Sequence, residues 1–187
     1  VTAWKDPPGL LTFLNGCTNL RELTLGGLSL SARVVLPRLE SFRLMRRHNE
    51  QLLPILSGLP ALKSLHVDNW EVKGSASALS SCLAVLPSIP ASVPFTLSTL
   101  IVKSDGLSPC SLLLQSLPPD FVLPSLHCLQ CDSMQFEPQQ LAQLAGCLPD
   151  LLELKTKACE LSGTSIMEAV QCFPRLQRWV MSNSTMS

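Results

Sequence analysis

The sequence predicts an α/β solenoid: a parallel sheet of about seven strands, with short helices or loops on its outer side. Three observations predict it. The first is a spacing, L-x-x-L-x-L-x-x-N/C-x-L, whose most regular copy places Leu151, Leu154, Thr156, Cys159 and Leu161 in the apolar or small slots. The same phrase begins at Leu20, Leu39, Leu62, Leu97, Leu126, Leu151 and Leu176, at intervals of 19, 23, 35, 29, 25 and 25 residues. The second is a proline entering five of the seven phrases, as LPRL, LPAL, LPSL, LPDL and FPRL. Proline lacks an amide donor and forces its predecessor into extended backbone, so it ends one element and feeds the chain into a strand. The third is a change of period, from two within the phrases to three and four between them.

Each element follows in order. Residues 10–17 read as the end of a helix that belongs to a preceding coil. The fourth phrase position is Leu23, Phe42, Leu65, Leu100, Leu129, Leu154 or Trp179, and the sixth is Leu25, Leu44, Val67, Val102, Cys131, Thr156 or Met181. Only Thr156 is not clearly apolar, so these positions are the expected core. The connection 29–37 is too short for a proper helix, whereas 49–57, 76–86, 111–117, 138–147 and 163–172 carry apolar residues at helical spacing. In the last of these, Ser162 or Thr164 is expected to cap a helix that turns Ile166, Met167, Val170 and Phe173 toward the sheet. The 35-residue interval contains a proline-rich insertion at about 87–96, expected as a loop on the rim. Phrases of this length and form are those of leucine-rich repeats, which cannot stay folded singly because each covers its neighbour's apolar edge. Residues 1–187 are therefore one repeat domain, expected to belong to a longer protein, since no polar capping helix follows the seventh phrase.

Composition narrows the function. Fourteen basic residues balance 14 acidic ones, leaving no electrostatic footprint for nucleic acid or an anionic membrane. No apolar run reaches about 18 residues, and the first residues lack the basic and apolar regions of a signal peptide. Eight cysteines permit a disulfide framework, but most fall where a small buried side chain is useful, which favours free thiols. Cys128 and Cys131 have the spacing of half a zinc site. On a strand, however, residues three apart face opposite sides, and no second pair accompanies them. No metal and no cofactor is expected.

The third, fifth and seventh phrase positions form three rows on the concave side of the sheet. The fifth-position row is Thr24, Arg43, His66, Ile101, Gln130, Lys155 and Val180; the third contains Glu22, Cys128, Glu153 and Arg178; the seventh contains Asp68, Lys103, Asp132 and Lys157. Rows of mixed sign and slight apolarity suit a protein partner. Arg43, His66, Asp68, Ile101, Lys103, Gln130, Glu153, Lys155 and Arg178 are the expected contact residues, each weighed against a merely solvated face. His48, His66 and His127 do not cluster, and no phosphate loop, nucleophile elbow or HExxH is present, so no enzyme is expected. Arg43, Arg46, Arg47 and His48 form a basic run, read as a solvated rim or a contact for an acidic partner. Asn183-Ser184-Thr185 is a glycosylation sequon, relevant only to a secreted chain.

FLNGCTNLRELTL near the start, with SGLPALKSLHV, GCLPDLLELKT and QCFPRLQRWVM later, resembles the leucine-rich-repeat region of F-box proteins, especially the fungal groups. The resemblance runs from Leu11 onward. It departs from the pattern at the ninth phrase position, where Cys159 alone supplies the usual Asn or Cys, and no segment resembles the F-box itself. It implies the substrate-recognising part of a ubiquitin-ligase receptor, cytoplasmic or nuclear, whose adaptor contact lies outside this chain. A secreted recognition or defence protein with disulfides is the alternative.

Overall fold

A computed structural model of the chain describes residues 9–26, 34–45, 55–68, 96–109, 121–161 and 171–186. Its fold is α/β, with one open parallel sheet. Strands β1 (Glu22–Gly26), β2 (Ser41–Met45), β3 (Ser64–Asp68), β4 (Thr99–Pro109), β5 (Cys128–Phe136), β6 (Glu153–Lys157) and β8 (Arg178–Ser182) are hydrogen-bonded in chain order. Two short strands, β7 (Glu160–Leu161) and β9 (Thr185–Met186), continue the sheet beyond β6 and β8. Each long strand begins at the third position of its phrase. The cross-strand partners are residues at the same phrase position, for example Phe42 with Leu65 and Leu129 with Leu154.

This register follows from burial. Leu65, Leu100, Leu129 and Leu154 are fully buried, as are Leu39, Leu62, Leu97 and Leu126 at the first position, and together they form one continuous core. Shifting any strand by one residue would put this row on the solvent face, so the pairing has one favourable solution. Thr156, the exception in the sequence, is buried too, and its hydroxyl accepts a hydrogen bond from the Trp179 indole N–H at 3.2 Å. Ahead of each strand from β1 to β6 a carbonyl gathers two amides from the start of the next long strand: those of Leu152 and Glu153 both donate to the His127 carbonyl at 2.9 Å.

Two helices are fully described. Helix α1 (Leu10–Gly16) precedes β1, where a helix end was expected, and α2 (Pro138–Cys147) lies between β5 and β6. A capping box starts α2: the Gln140 side chain accepts from the Glu137 amide at 3.0 Å, with proline at the start of the helix. Leu141, Leu144 and Ala145 bury its inner side. Residues 55–56 and 171–172 are also helical, within two of the expected segments, and Phe173 is buried. The expected helices at 76–86 and 111–117, the cap at Ser162 or Thr164, most of connection 29–37, His48, and the insertion apart from Thr96 lie outside the described residues. Gly58 has no room for a side chain, because a Cβ there would stand 1.8 Å from the Val34 carbonyl oxygen.

The backbone reversals within β5 and after β6 and β8 were not foreseen. At the eighth phrase position Ser133, Ala158 and Asn183 adopt left-handed backbone, with φ of 59°, 51° and 54°. This reverses the next residue toward the core and costs a non-glycine residue about 1–2 kcal/mol. The cost is offset by a ladder of side-chain bonds. The Cys159 thiol donates to the Cys131 carbonyl at 3.3 Å; one coil later, the Ser184 hydroxyl donates to the Thr156 carbonyl at 3.2 Å and accepts from the Cys159 amide at 3.3 Å. Ser184 thus does the work that the phrase assigns to Asn or Cys, so Cys159 is not alone in that slot. Met134, at the same position of the preceding coil, is simply buried.

Candidate interaction face

Period two places alternate residues on the other side of the sheet, and the parallel register lines them up across strands. Arg43 stands on β2, His66 and Asp68 on β3, Ile101 and Lys103 on β4, Gln130 on β5, Glu153 and Lys155 on β6, and Arg178 on β8. All nine therefore share one face. The structure ties most of them to one another.

Asp68 is the centre of the larger cluster. Arg43 donates to its Oδ2 through Nε at 2.9 Å and a terminal nitrogen at 2.6 Å, and His66 Nε2 lies 2.6 Å from its Oδ1. That last contact is favourable when Nε2 carries a proton. Lys103 Nζ stands 3.7 Å from Asp68 and 3.8 Å from Asp132, while Gln130 donates to Asp132 at 3.1 Å. Asp68 and Asp132 are only 8% and 7% exposed. So Asp68, expected as an outward contact, is instead the buried acceptor that organises its neighbours. Burial by itself would raise the Asp68 pKa, but the Arg43 hydrogen bond, with His66 and Lys103 nearby, outweighs it and holds the carboxyl below its ordinary range. Burial lowers the His66 pKa, a shift only partly opposed by the adjacent Asp68.

A second cluster surrounds Glu153. Lys155 Nζ lies 2.9 Å from Oε2 and Arg178 3.2 Å from Oε1, and the Cys128 thiol donates to Oε2 at 3.4 Å. The Lys155 hydrogen bond is the main reason that the Glu153 carboxyl is held low. Burial, reinforced by the bond to Glu153, raises the Cys128 thiol pKa, which disfavours the nucleophilic thiolate. Cys128 looks onto this face, whereas Cys131 is buried on the other side, so the CxxC spacing does not bring the two sulfurs together.

The difference between the clusters lies in balance. Around Asp68 and Asp132, two carboxylates meet the cations of Arg43 and Lys103. Around Glu153, one carboxylate meets Lys155 and Arg178, with exposed Lys157 two residues beyond Lys155. Lys157 was expected to face outward, as it does, but Asp132 was not singled out, although the seventh-position row, Asp68, Lys103, Asp132 and Lys157, alternates in sign in the sequence itself. Basic residues Arg46 and Arg47 lie outside the described residues. Among the described residues no group of three or more His, Cys, Asp or Glu side chains is placed to hold a metal ion. No described helix is long and apolar enough to cross a membrane. The chain matches no protein-family model and no curated protein sequence.

Proposed function

We propose that this chain is a leucine-rich-repeat solenoid, horseshoe-shaped, that acts as a non-enzymatic protein-recognition module through the polar face of its sheet. The observation that carries this reading is the row arrangement itself: seven strands in one register present side chains of both signs on a rigid scaffold. A face whose side chains are already held by neighbours loses little freedom on binding. The resemblance to the repeat region of F-box proteins makes the partner a ligase substrate, with the adaptor held by an F-box outside these residues. The thiols of Cys17, Cys128, Cys147, Cys159 and Cys172 support a reducing compartment, cytoplasmic or nuclear, over the secreted alternative.

Arg43 is a poor probe of binding, because reversing its charge would set a carboxylate against Asp68 and disturb the fold. Neutralising Lys155 and Lys157 is better, since it sets no carboxylate against Glu153. With the chain immobilised in cell extract, Lys155→Gln combined with Lys157→Gln is expected to lose the retained protein, whereas Gln143→Glu on the exposed side of α2 is expected to keep it. Identical retention by both variants would remove the polar face as the recognition surface.

A further inference from the structure

The cations of the polar face are not used equally. Arg43 and Lys103 are taken up by Asp68 and Asp132, so that part of the face is balanced. Further along, Lys155 and Arg178 share the single carboxylate of Glu153, with 36% and 70% of their side chains exposed. Lys157 is exposed and makes no ion pair among the described residues. Its register partner, Asp132, is held by Lys103 and Gln130 instead. Nearby carboxylates do not restore the balance: Asp150 pairs with Arg175 ahead of the strand, and Glu160 lies past the left-handed turn at Ala158. Among the described side chains, the face from β4 to β8 thus sets Lys103, Lys155, Lys157 and Arg178 against only Asp132 and Glu153. Strand β6 is paired on both sides, by β5 and β8, so Lys155 and Lys157 stand within the sheet and not at its edge.

We propose, resting on the reading of this face as a recognition surface, that the stretch at β6 takes an acidic segment of a partner protein. The segment lies extended over the strand, with its carboxylates on Lys155 and Lys157 and Arg178 within reach of one end. Lys155 and Lys157 are two residues apart on one face of a strand, about 7 Å, which is also the spacing of carboxylates at alternate positions of an extended peptide. Lys157 has all three ammonium donors open to such a group, and Lys155, bonded to Glu153 at 2.9 Å, keeps donors to spare. A basic segment would be repelled by Lys157 and would find Asp68, Asp132 and Glu153 already engaged. The positive surplus is local, because 14 basic and 14 acidic residues cancel over the whole chain. A long polyanion therefore gains little beyond the patch, whereas a short acidic segment meets all of it.

A titration of the full isotope-labelled chain tests this, with backbone amide shifts followed by NMR at low salt. The probes are a short peptide of alternating glutamate and serine and its counterpart with glutamine for each glutamate. The acidic peptide is expected to move the amides of β6, most of all those of Lys155 and Lys157, and the glutamine peptide to leave them in place. Lys157→Gln, which breaks no ion pair among the described residues, is expected to weaken the acidic peptide by roughly two- to fivefold, the equivalent of one exposed ion pair. Lys155→Gln combined with Lys157→Gln should weaken it further, as should added salt, and the amide spectrum shows whether each variant is folded. Equal shifts with both peptides, no shift at β6, or folded variants that bind like the native chain would overturn the acidic partner. So would a short oligonucleotide that binds the same amides more tightly than the peptide does. If the acidic peptide fails while the doubly substituted chain still loses its protein from cell extract, the face recognises a partner of other chemistry. If retention from extract is unchanged as well, the face is not the recognition surface.

Discussion

Strands β3 to β6 and the outer strands β1 and β8 carry the same phrase but gain very different burial from it. Leu65, Leu100, Leu129 and Leu154 are completely enclosed, whereas Leu23 and Trp179, at the same position, are only partly covered. Nothing in the local sequence distinguishes them: the fourth residue is large and apolar in each. The difference arises because a strand in a parallel stack is buried by two neighbours, and a strand at an end has one. The burial gained per strand therefore concentrates in the middle of the sheet.

The largest test of this contrast truncates matched positions. Leu129→Ala is expected to destabilise by about 2–5 kcal/mol, the range for emptying an enclosed leucine site. Leu23→Ala should cost less than about half as much, because its site can relax into solvent. Denaturant midpoints measure both. Equal losses would contradict the nearest-neighbour account, and a larger loss at Leu23 would reverse it.

The strand register was legible in the sequence because it depends on hydrophobic spacing, which a single phrase repeated seven times states redundantly. The fate of a polar residue on the opposite face was less legible. Asp68 was placed on the correct side, but its burial depends on Arg43 and His66 folding across it, and alternation assigns a side without assigning a depth. The turn ladder was missed for another reason. Ser184 does not match the Asn/Cys template, yet a hydroxyl supplies the donor and acceptor that the turn requires. Parts of the chain whose signal was helical spacing over short segments lie largely outside the described residues.

The polar face repeats the contrast between middle and end. Asp68→Asn leaves Arg43 and His66 facing a neutral amide in a nearly buried setting and is expected to cost about 1–3 kcal/mol. Asp150→Asn removes the exposed pair with Arg175, 2.7 Å apart near β8, and should cost about 1 kcal/mol or less. The two central groups also set a pH dependence. Both titrate lower in the folded chain than in the unfolded one. The His66 contribution is therefore complete above its ordinary value of about 6.5 and falls as the pH drops from there toward the folded value. That of Asp68 is complete above about 3.9 and is lost at lower pH, as the folded carboxyl protonates. Stability should decline on acidification in two steps. His66→Gln should flatten the upper step alone; an unchanged profile between roughly pH 5 and 7 would show that the imidazole does not contribute.

The smallest effect is expected in the turn ladder. Cys159 is 1% exposed and sits between two coils, while Ser184 belongs to the last coil and is partly open to water. Ser184→Ala removes the acceptor of the Cys159 amide and the donor to the Thr156 carbonyl. In an enclosed site, two stranded backbone groups would be costly, but here water can reach the place the hydroxyl leaves. We expect a loss of about 0.5–1.5 kcal/mol, together with faster hydrogen exchange at the Cys159 amide. The exchange measurement separates this from general destabilisation, because the amide of Glu153, bonded to the His127 carbonyl in the same coil, should keep its protection. Equal acceleration at both amides would mean that the segment carrying β6 opens as one unit and that the Ser184 hydroxyl holds no turn of its own.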